Sequence, residues 1–198
     1  MLRLDERRLL GALDELASIG AIKGGGCARL ALTDEDRAAR DLVVGWMKAL
    51  GLAVTVDAIG NVVGVRAGTE DLAPVMTGSH IDTVRTGGRY DGNYGVLAGL
   101  EVVRALSEAS VTTRRPIAVA FFTNEEGARF QPDMMGSLVY VGGIGLNEAY
   151  AAADKDGASV GDELRRIGYL GPVKPGAVKP HAFVEQHIEQ GPILDEEK

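Results

Sequence analysis

The sequence contains a single cysteine, Cys27, and only 5% of its 198 residues are aromatic. One cysteine excludes a disulfide within the chain and is typical of a reducing compartment, so we expect a cytoplasmic protein. Long apolar stretches are also missing, because Gly, Thr, Arg or Asp interrupts every run before the roughly 18–20 residues that a membrane helix needs. The N-terminal segment mixes acids and arginines into its apolar pattern, so we expect no signal peptide and no membrane partner.

Basic residues are outnumbered by acidic ones: 21 Lys and Arg against 28 Asp and Glu give a net charge of −7. Nucleic-acid binding depends on Lys and Arg that contact phosphates, so this balance predicts no nucleic-acid partner. The sequence also lacks a phosphate-binding G-x-x-x-x-G-K-[ST] loop, a G-x-G-x-x-G fingerprint, a G-x-S-x-G elbow and a C-x-x-C pair. With 45% hydrophobic residues, the chain instead has the composition of a globular domain with a real core.

Apolar periodicity divides the chain into alternating helices and strands, which predicts an α/β sandwich. A first helix at residues 4–19 is expected to bury Leu9, Leu10, Leu13 and Leu16, and Thr33 is a predicted N-cap of the second helix. β-Branched runs on both sides of residues 59–60 predict a hairpin. The other predicted elements are strands at 74–78, 117–123 and 182–186, helices at 96–108, 145–153 and 160–167, and a long loop at 124–136.

Polar residues follow three of the predicted strands at the point where each strand ends. The three segments are G-S-H-I-D at 78–82 with G-G-R-Y-D-G at 87–92, T-N-E-E-G at 123–127, and Q-H-I-E-Q-G at 186–191. Two of the three histidines of the chain, His80 and His187, lie in them. Ligands of open α/β sheets bind at the carboxyl ends of strands, so we expect a site where these segments meet.

The residue types in these segments are those of a metal site. His80, Asp91, Glu126 and His187 together would hold a divalent ion such as zinc, manganese, cobalt or nickel. The adjacent Glu125 could handle a proton while Glu126 binds metal, as metal-assisted hydrolysis requires.

Asp82 lies two residues after His80, on the same side of an extended chain, and is expected to accept the other ring N–H of that histidine and so fix its tautomer. Taken singly, each motif has a plainer interpretation. An isolated histidine is usually packed or at the surface, a pair of glutamates is usually solvated, and a G-G-x-x-D-G stretch is usually a turn. Their coincidence at strand ends favours the metal site.

The same segments resemble the hydantoinase/carbamoylase family of amidases, which includes N-carbamoyl-L-amino-acid hydrolase, β-ureidopropionase and allantoate amidohydrolase. The resemblance is carried by G-S-H-I-D-T-V (78–84), Y-D-G (90–92), N-E-E-G-A-R-F (124–130) and H-I-E-Q-G-P (187–192), in the order of the family. It implies a three-layer αβα catalytic domain of the dinuclear zinc-peptidase type, with two divalent ions, zinc first and manganese, cobalt or nickel as alternatives. It also implies a small-molecule ureido or carbamoyl substrate, and a homodimer for the full-length form.

The resemblance assigns a role to each matching residue. His80 and His187 resemble ligands of the first metal, Asp91 the carboxylate that bridges both metals, and Glu126 a ligand of the second. Glu125 resembles the general base that activates the bridging water.

Three further expectations follow from the resemblance. Asp82 resembles the partner of the first metal-binding histidine, and Gln190 a residue that contacts substrate. Members of the superfamily also often have a cis peptide after the bridging aspartate, here Asp91–Gly92.

Family members are about twice as long as this chain, so residues 1–198 match the N-terminal part of the metal-binding catalytic domain. The sequence lacks the counterpart of the lid and dimerisation domain and of the C-terminal part, including a late histidine that completes the second metal site. We therefore expect a fold that is incomplete at the C-terminus, and at best low activity from this chain alone.

The predicted function is metal-dependent hydrolysis of linear C–N bonds in N-carbamoyl amino acids or related ureido compounds. A peptidase or deacylase of the same superfamily is one alternative. An inactive, truncated piece that binds metal weakly is another.

Overall fold

The computed structural model describes residues 2–197 and contains, within them, seven helices and five strands. The helices are α1 (Glu6–Ser18), α2 (Asp34–Ala49), α3 (Asn93–Glu108), α4 (Met135–Val141), α5 (Leu146–Ala151), α6 (Val160–Ile167) and α7 (Ile193–Glu196). The strands are β1 (Ala53–Val56), β2 (Val62–Arg66), β3 (Val75–His80), β4 (Ile117–Phe122) and β5 (Ala182–Val184). None of the described helices has the length and apolar character needed to cross a membrane.

The strands form one mixed sheet in the order β1-β2-β4-β3-β5. β1 and β2 form the predicted antiparallel hairpin, and β2 continues antiparallel to β4. β3 runs parallel to both of its neighbours, with His80 opposite Phe122 of β4 and Thr77 opposite Val184 of β5. The carboxyl ends of β3, β4 and β5 therefore reach the same edge of the sheet.

Helices cover both faces of this sheet, so the predicted α/β sandwich is confirmed. Alternate residues of β4 point to opposite faces. Val119 and Phe121 belong to the large core that includes buried residues of α1, α2 and α3, whereas Ala118 and Ala120 belong to a smaller cluster against which Tyr140 of α4 packs. The second face is covered more thinly than the first.

The second helix follows its predicted signals. Thr33 is the N-cap, and its side chain accepts a hydrogen bond from the backbone N–H of Asp36. Three acidic residues in the first turn suit the positive end of the helix dipole.

In α1 the prediction is wrong at one position: Leu13 and Leu16 are buried, but Leu10 is 45% exposed. Leu10 is rotated by about 100° from Leu9 around the helix axis and lies at the edge of the apolar stripe.

Two predicted boundaries near the sheet edge differ from the structure. α3 begins at Asn93, three residues before the predicted start at 96, because Asn93 is buried and hydrogen-bonded rather than part of a solvated loop. The predicted loop at 124–136 ends in the first residues of α4. There the backbone N–H groups of Met134, Met135 and Gly136 donate to the carbonyls of Glu125, Asn124 and Thr123.

Candidate metal centre

The three polar segments meet at the carboxyl edge of the sheet, as predicted from the strand ends. β3 ends at His80, Glu125 and Glu126 follow β4, and His187 follows β5. Because β3 lies between β4 and β5, its last residue is flanked by both other segments. Asp91 comes from the loop that leads into α3.

His80, Asp91 and His187 form a compact group in which one ligand atom of each residue lies within 4.8 Å of the others. The Nε2 atom of His187 is 3.2 Å from Oδ1 of Asp91, and Nε2 of His80 is 3.9 Å from the same oxygen. His80 and Asp91 are largely buried, whereas the side chain of His187 is 33% exposed. Two nitrogens and one oxygen thus surround a small volume that opens to solvent on the His187 side.

The backbone favours one tautomer of each histidine ring. Nδ1 of His80 lies 2.9 Å from the carbonyl oxygen of Asp82, and Nδ1 of His187 lies 2.8 Å from the carbonyl oxygen of Ile188. A carbonyl oxygen can only accept, so in each neutral ring Nδ1 carries the hydrogen. Both rings then present the lone pair of Nε2 toward Asp91, which is the state a metal ligand needs.

Two carboxylate oxygens at this edge are buried and accept no hydrogen bond from the described residues: Oδ1 of Asp91 and Oε1 of Glu126. A buried polar atom without a partner is unfavourable. A divalent cation is a partner that satisfies such an oxygen, and the nitrogen and oxygen donors present are those that zinc and its neighbours in the first transition row prefer. The residues therefore fit the implied metal.

Negative charge accumulates around these oxygens. Burial raises the pKa of Glu126 to about 7, and the charges of Asp91, Asp82 and Glu125 add to this rise while His80 opposes it. Burial alone would lower the pKa of His80, but Asp82 and Glu125 outweigh burial and raise it. Such a surplus of negative charge attracts a cation. Glu126 is not a member of the compact three-residue group.

Glu125 lies beside the compact group without belonging to it. Its Oε2 is 3.4 Å from Nε2 of His80, and its side chain is 31% exposed. Burial raises the pKa of the Glu125 carboxyl, and Asp82 and Glu185 raise it further. Its side chain lines a cavity of about 550 Å³, whose other walls are Glu126, Asp133, Met134, Glu185, His187 and Gln190.

Asp82 is the hydrogen-bond partner of the His80 ring, as expected, but through its main chain. The ring of His80 is bonded to the main-chain oxygen of Asp82, and the nearest carboxylate oxygen lies 3.9 Å from Nδ1. The carboxylate instead accepts the backbone N–H groups of Glu125, at 3.2 Å, and of Glu126, at 3.3 Å. Residue spacing along β3 could not show this second role, because it depends on two donors in the loop after β4. Asp82 thus fixes the glutamate pair.

Gln190 also has a partner that its predicted role did not include. Its side-chain amide donates a hydrogen bond of 2.6 Å to Oδ2 of Asp91. Gln190 also lines the cavity. Its contact with substrate stays a prediction.

The peptide between Asp91 and Gly92 is not cis, so that prediction is wrong; among the described residues the cis bond is at Gln131–Pro132. The turn into α3 is made by Gly92 itself, with a φ of +66°. A Cβ atom at this position would overlap the imidazole ring of His80. Glycine is therefore required both by the backbone angle and by the packing of a predicted ligand.

Sequence reasoning missed two residues of this region. The hydroxyl of Ser79 donates to the carboxylate of Glu185, which links β3 to the segment before His187. The side chain of Arg29 is completely buried between α1 and the loop after β3. The one signal for Arg29 was its position inside the apolar run A-R-L-A-L at 28–32.

The chain is similar to several known proteins. Residues 76–198 match Peptidase family M20/M25/M40. The chain is 48% identical over 196 residues to an N-carbamoyl-L-amino-acid amidohydrolase of Rhizobium meliloti, covering 98% of this chain and 47% of that protein. It is 36% identical over 208 residues to a ureidoglycolate hydrolase of Arabidopsis thaliana, covering 99% of this chain and 43% of that protein.

The crystal structure of a hydantoinase/carbamoylase family amidase from Burkholderia multivorans has a TM-score of 0.97 and 52% identity, covering 99% of this chain and 48% of that one. The chain thus spans about half the length of the relatives it matches. The resemblance indicated by the motifs at 78–92, 124–130 and 187–192 is confirmed. Because the family match extends over more than half of the sequence, the chain belongs to peptidase family M20/M25/M40.

Proposed function

We propose that this chain supplies metal-binding and catalytic residues to an amidohydrolase that cleaves linear C–N bonds in N-carbamoyl amino acids or related ureido compounds. The observation that carries the proposal is the convergence of Nε2 of His80 and Nε2 of His187 on a buried, unsatisfied oxygen of Asp91. The names of the relatives, N-carbamoyl-L-amino-acid amidohydrolase and ureidoglycolate hydrolase, support the substrate class.

In this proposal His80, Asp91 and His187 hold a first divalent cation, and Asp91 and Glu126 contribute to a second. Zinc is the first candidate, and manganese, cobalt and nickel suit the same donors. The chemistry that such ions supply is Lewis acidity, which polarises a carbonyl oxygen and makes a water more acidic. The tautomers that Asp82 and Ile188 impose on the two histidines keep both Nε2 atoms available.

Glu125 is the proposed general base. It takes a proton from the attacking water as the water oxygen bonds to the carbamoyl carbon, and it returns this proton to the nitrogen as the C–N bond breaks. The products are a free amine and a carbamate. Burial raises the pKa of the Glu125 carboxyl, which makes it a better proton acceptor than a solvated glutamate. Asp82 keeps the Glu125 backbone in place through the hydrogen bond to its N–H.

Gln190 is proposed to contact substrate. Its amide lines the cavity and donates a hydrogen bond to Asp91. In the substrate complex the amide donates instead to a carboxylate or ureido oxygen of the substrate. The relatives are about twice as long, so residues 1–198 are proposed to be one part of a metal-binding catalytic domain that acts as a homodimer in the longer form.

A peptidase or deacylase of the same superfamily is the second candidate, since the matching family is described as a peptidase family. The deciding experiment measures hydrolysis of N-carbamoyl-L-amino acids, allantoate, ureidoglycolate, N-acetyl amino acids and dipeptides by the longest native form that contains this chain. Each assay is run with zinc, manganese, cobalt or nickel and after chelation. Metal-dependent release of amine from the ureido compounds supports the proposal, and cleavage confined to dipeptides or acetyl compounds overturns it.

The 198-residue chain alone is assayed in parallel. We expect much slower turnover from it than from the longer form, because groups that orient the substrate and exclude water contribute several orders of magnitude to a rate. Equal rates would contradict that expectation.

A further inference from the structure

The guanidinium of Arg29 is buried without any solvent exposure, and within residues 2–197 none of its hydrogen bonds goes to a carboxylate. Its acceptors are neutral: the carbonyls of Leu16, Ile19 and Ile81, the side-chain oxygen of Asn93, and the sulfur of Cys27. A buried cation is costly unless its surroundings use its donors fully. Each of these acceptors belongs to a segment that surrounds the site or to α1, so the guanidinium joins several segments at one point.

Two of these acceptors are next to predicted metal ligands. Nε of Arg29 donates to the carbonyl of Ile81 at 2.8 Å, and Ile81 directly follows His80. An Nη2 hydrogen goes to Oδ1 of Asn93 at 2.9 Å, and Asn93 is two residues beyond Asp91. The rigid fork of a guanidinium fixes the relative position of two groups that it bonds at once. Arg29 thus links the end of β3 to the beginning of α3.

The backbone around Arg29 strengthens the same link. The N–H of Arg29 donates to Oγ1 of Thr83, and the N–H of Thr83 donates back to the carbonyl of Arg29. Cys27 and Gly87 exchange a second pair of backbone hydrogen bonds. The segment 27–29 therefore lies along the loop that joins His80 to Asp91, and the Arg29 side chain reaches beneath that loop.

We propose that Arg29 is a positioning residue that sets the distance between His80 and Asp91 and thereby the affinity and coordination geometry of the first cation. The inference rests on the proposed function, because it assumes that the first cation binds at His80, Asp91 and His187. His187 comes from the segment after β5, and the hydrogen bonds of the Arg29 side chain within the described residues go to other segments. Loss of Arg29 would therefore let His80 and Asp91 shift relative to each other, while the hydrogen bonds that hold His187 are unchanged.

The test is titration of the metal-free protein with Co²⁺, followed by visible absorption, which reports the coordination geometry as well as the affinity. Wild-type protein is compared with Arg29→Lys, which keeps the charge but loses the fork. Leu164→Ala is the control, since Leu164 is fully buried in α6, a helix that contributes no residue to the site. Circular dichroism and thermal unfolding establish that each variant is folded and how much stability it has lost.

We expect Arg29→Lys to bind Co²⁺ at least tenfold more weakly than wild type and with a changed spectrum. Leu164→Ala should lose thermal stability and keep the wild-type affinity within about twofold. If Arg29→Lys does not fold, Asn93→Ala decides, because it removes the acceptor on α3 and leaves Arg29 in place. The expected result is the same spectral change with a smaller loss of affinity.

Wild-type affinity and spectrum in the folded Arg29→Lys protein, or in Asn93→Ala where Arg29→Lys does not fold, would overturn the inference. So would an equal loss of affinity in Leu164→Ala, which would mean that stability alone controls binding. Failure of the wild-type protein to bind Co²⁺ is a different outcome, because it would overturn the proposed metal site itself.

Discussion

The backbone N–H of Glu125 donates to the carboxylate of Asp82, which places the proposed base relative to the end of β3. Asp82 accepts the N–H of Glu126 with its other carboxylate oxygen, so one buried side chain fixes both glutamates. The main-chain oxygen of the same residue orients the ring of His80. Asp82 thus connects three residues of the site: the proposed base Glu125, the proposed first-metal ligand His80 and the proposed second-metal ligand Glu126.

Asp82→Ala should therefore lower both stability and turnover. It leaves two part-buried backbone N–H groups without their acceptor, at a cost of up to about 1–3 kcal/mol for each. Asp82→Asn keeps one acceptor oxygen and should recover part of both losses. Chemical denaturation and kcat measurements on the two variants test this, and equal behaviour of the alanine and asparagine proteins would contradict it.

Glu125→Gln should retain bound metal and lose about 10²- to 10⁴-fold in turnover, since only the proton acceptor is removed. Asp133→Asn is the matched control, because Asp133 lines the same cavity and lies outside the compact group. Metal content by mass spectrometry and kcat are measured for both. Near-normal turnover in Glu125→Gln would show that another group is the base.

Gly92→Ala should weaken metal binding and destabilise the fold. The added Cβ would overlap the ring of His80, and the φ of +66° at this residue disfavours alanine by about 1–2 kcal/mol. Gly88→Ala is the control in the same loop, because a Cβ there meets nothing within 4 Å. Unchanged zinc affinity in Gly92→Ala by calorimetry would be incompatible with the packing of Gly92 against a ligand.

Asp57 should make the free energy of unfolding depend on pH. Burial raises the pKa of its carboxyl to about 6, above the value of about 4 for an unfolded chain. Between about pH 4 and pH 6 the folded state holds more protons than the unfolded state, so stability falls as pH rises through this window. The change is on the order of 3 kcal/mol, at about 1.4 kcal/mol per pKa unit.

Asp57→Asn cannot titrate and should lack this component of the pH dependence. The comparison is the difference in unfolding free energy between wild type and variant, measured by denaturation at several pH values from 4 to 7. A constant offset is expected from the altered hydrogen bond to Asn61, and it does not affect the slope. Parallel curves for the two proteins would contradict the raised pKa.

Much of the architecture was predictable from residue patterns, because apolar runs locate the strands and polar residues mark their ends. His80 and His187 could be expected at one edge once both were placed after parallel strands. The contacts of Asp82 with the glutamate backbone could not, since they depend on how a loop 43 residues away folds back. The burial of Arg29 could not be predicted from the sequence either, because its acceptors come from segments on both sides of it in sequence.

The central claim is that His80, Asp91 and His187 hold one divalent cation. Anomalous X-ray scattering at the zinc absorption edge, from crystals grown with zinc, tests it most directly. We predict a peak at about 2.0–2.2 Å from Nε2 of His80, Nε2 of His187 and a carboxylate oxygen of Asp91. A zinc-saturated crystal with no peak among these three residues, or with the two histidines on separate ions, would contradict it.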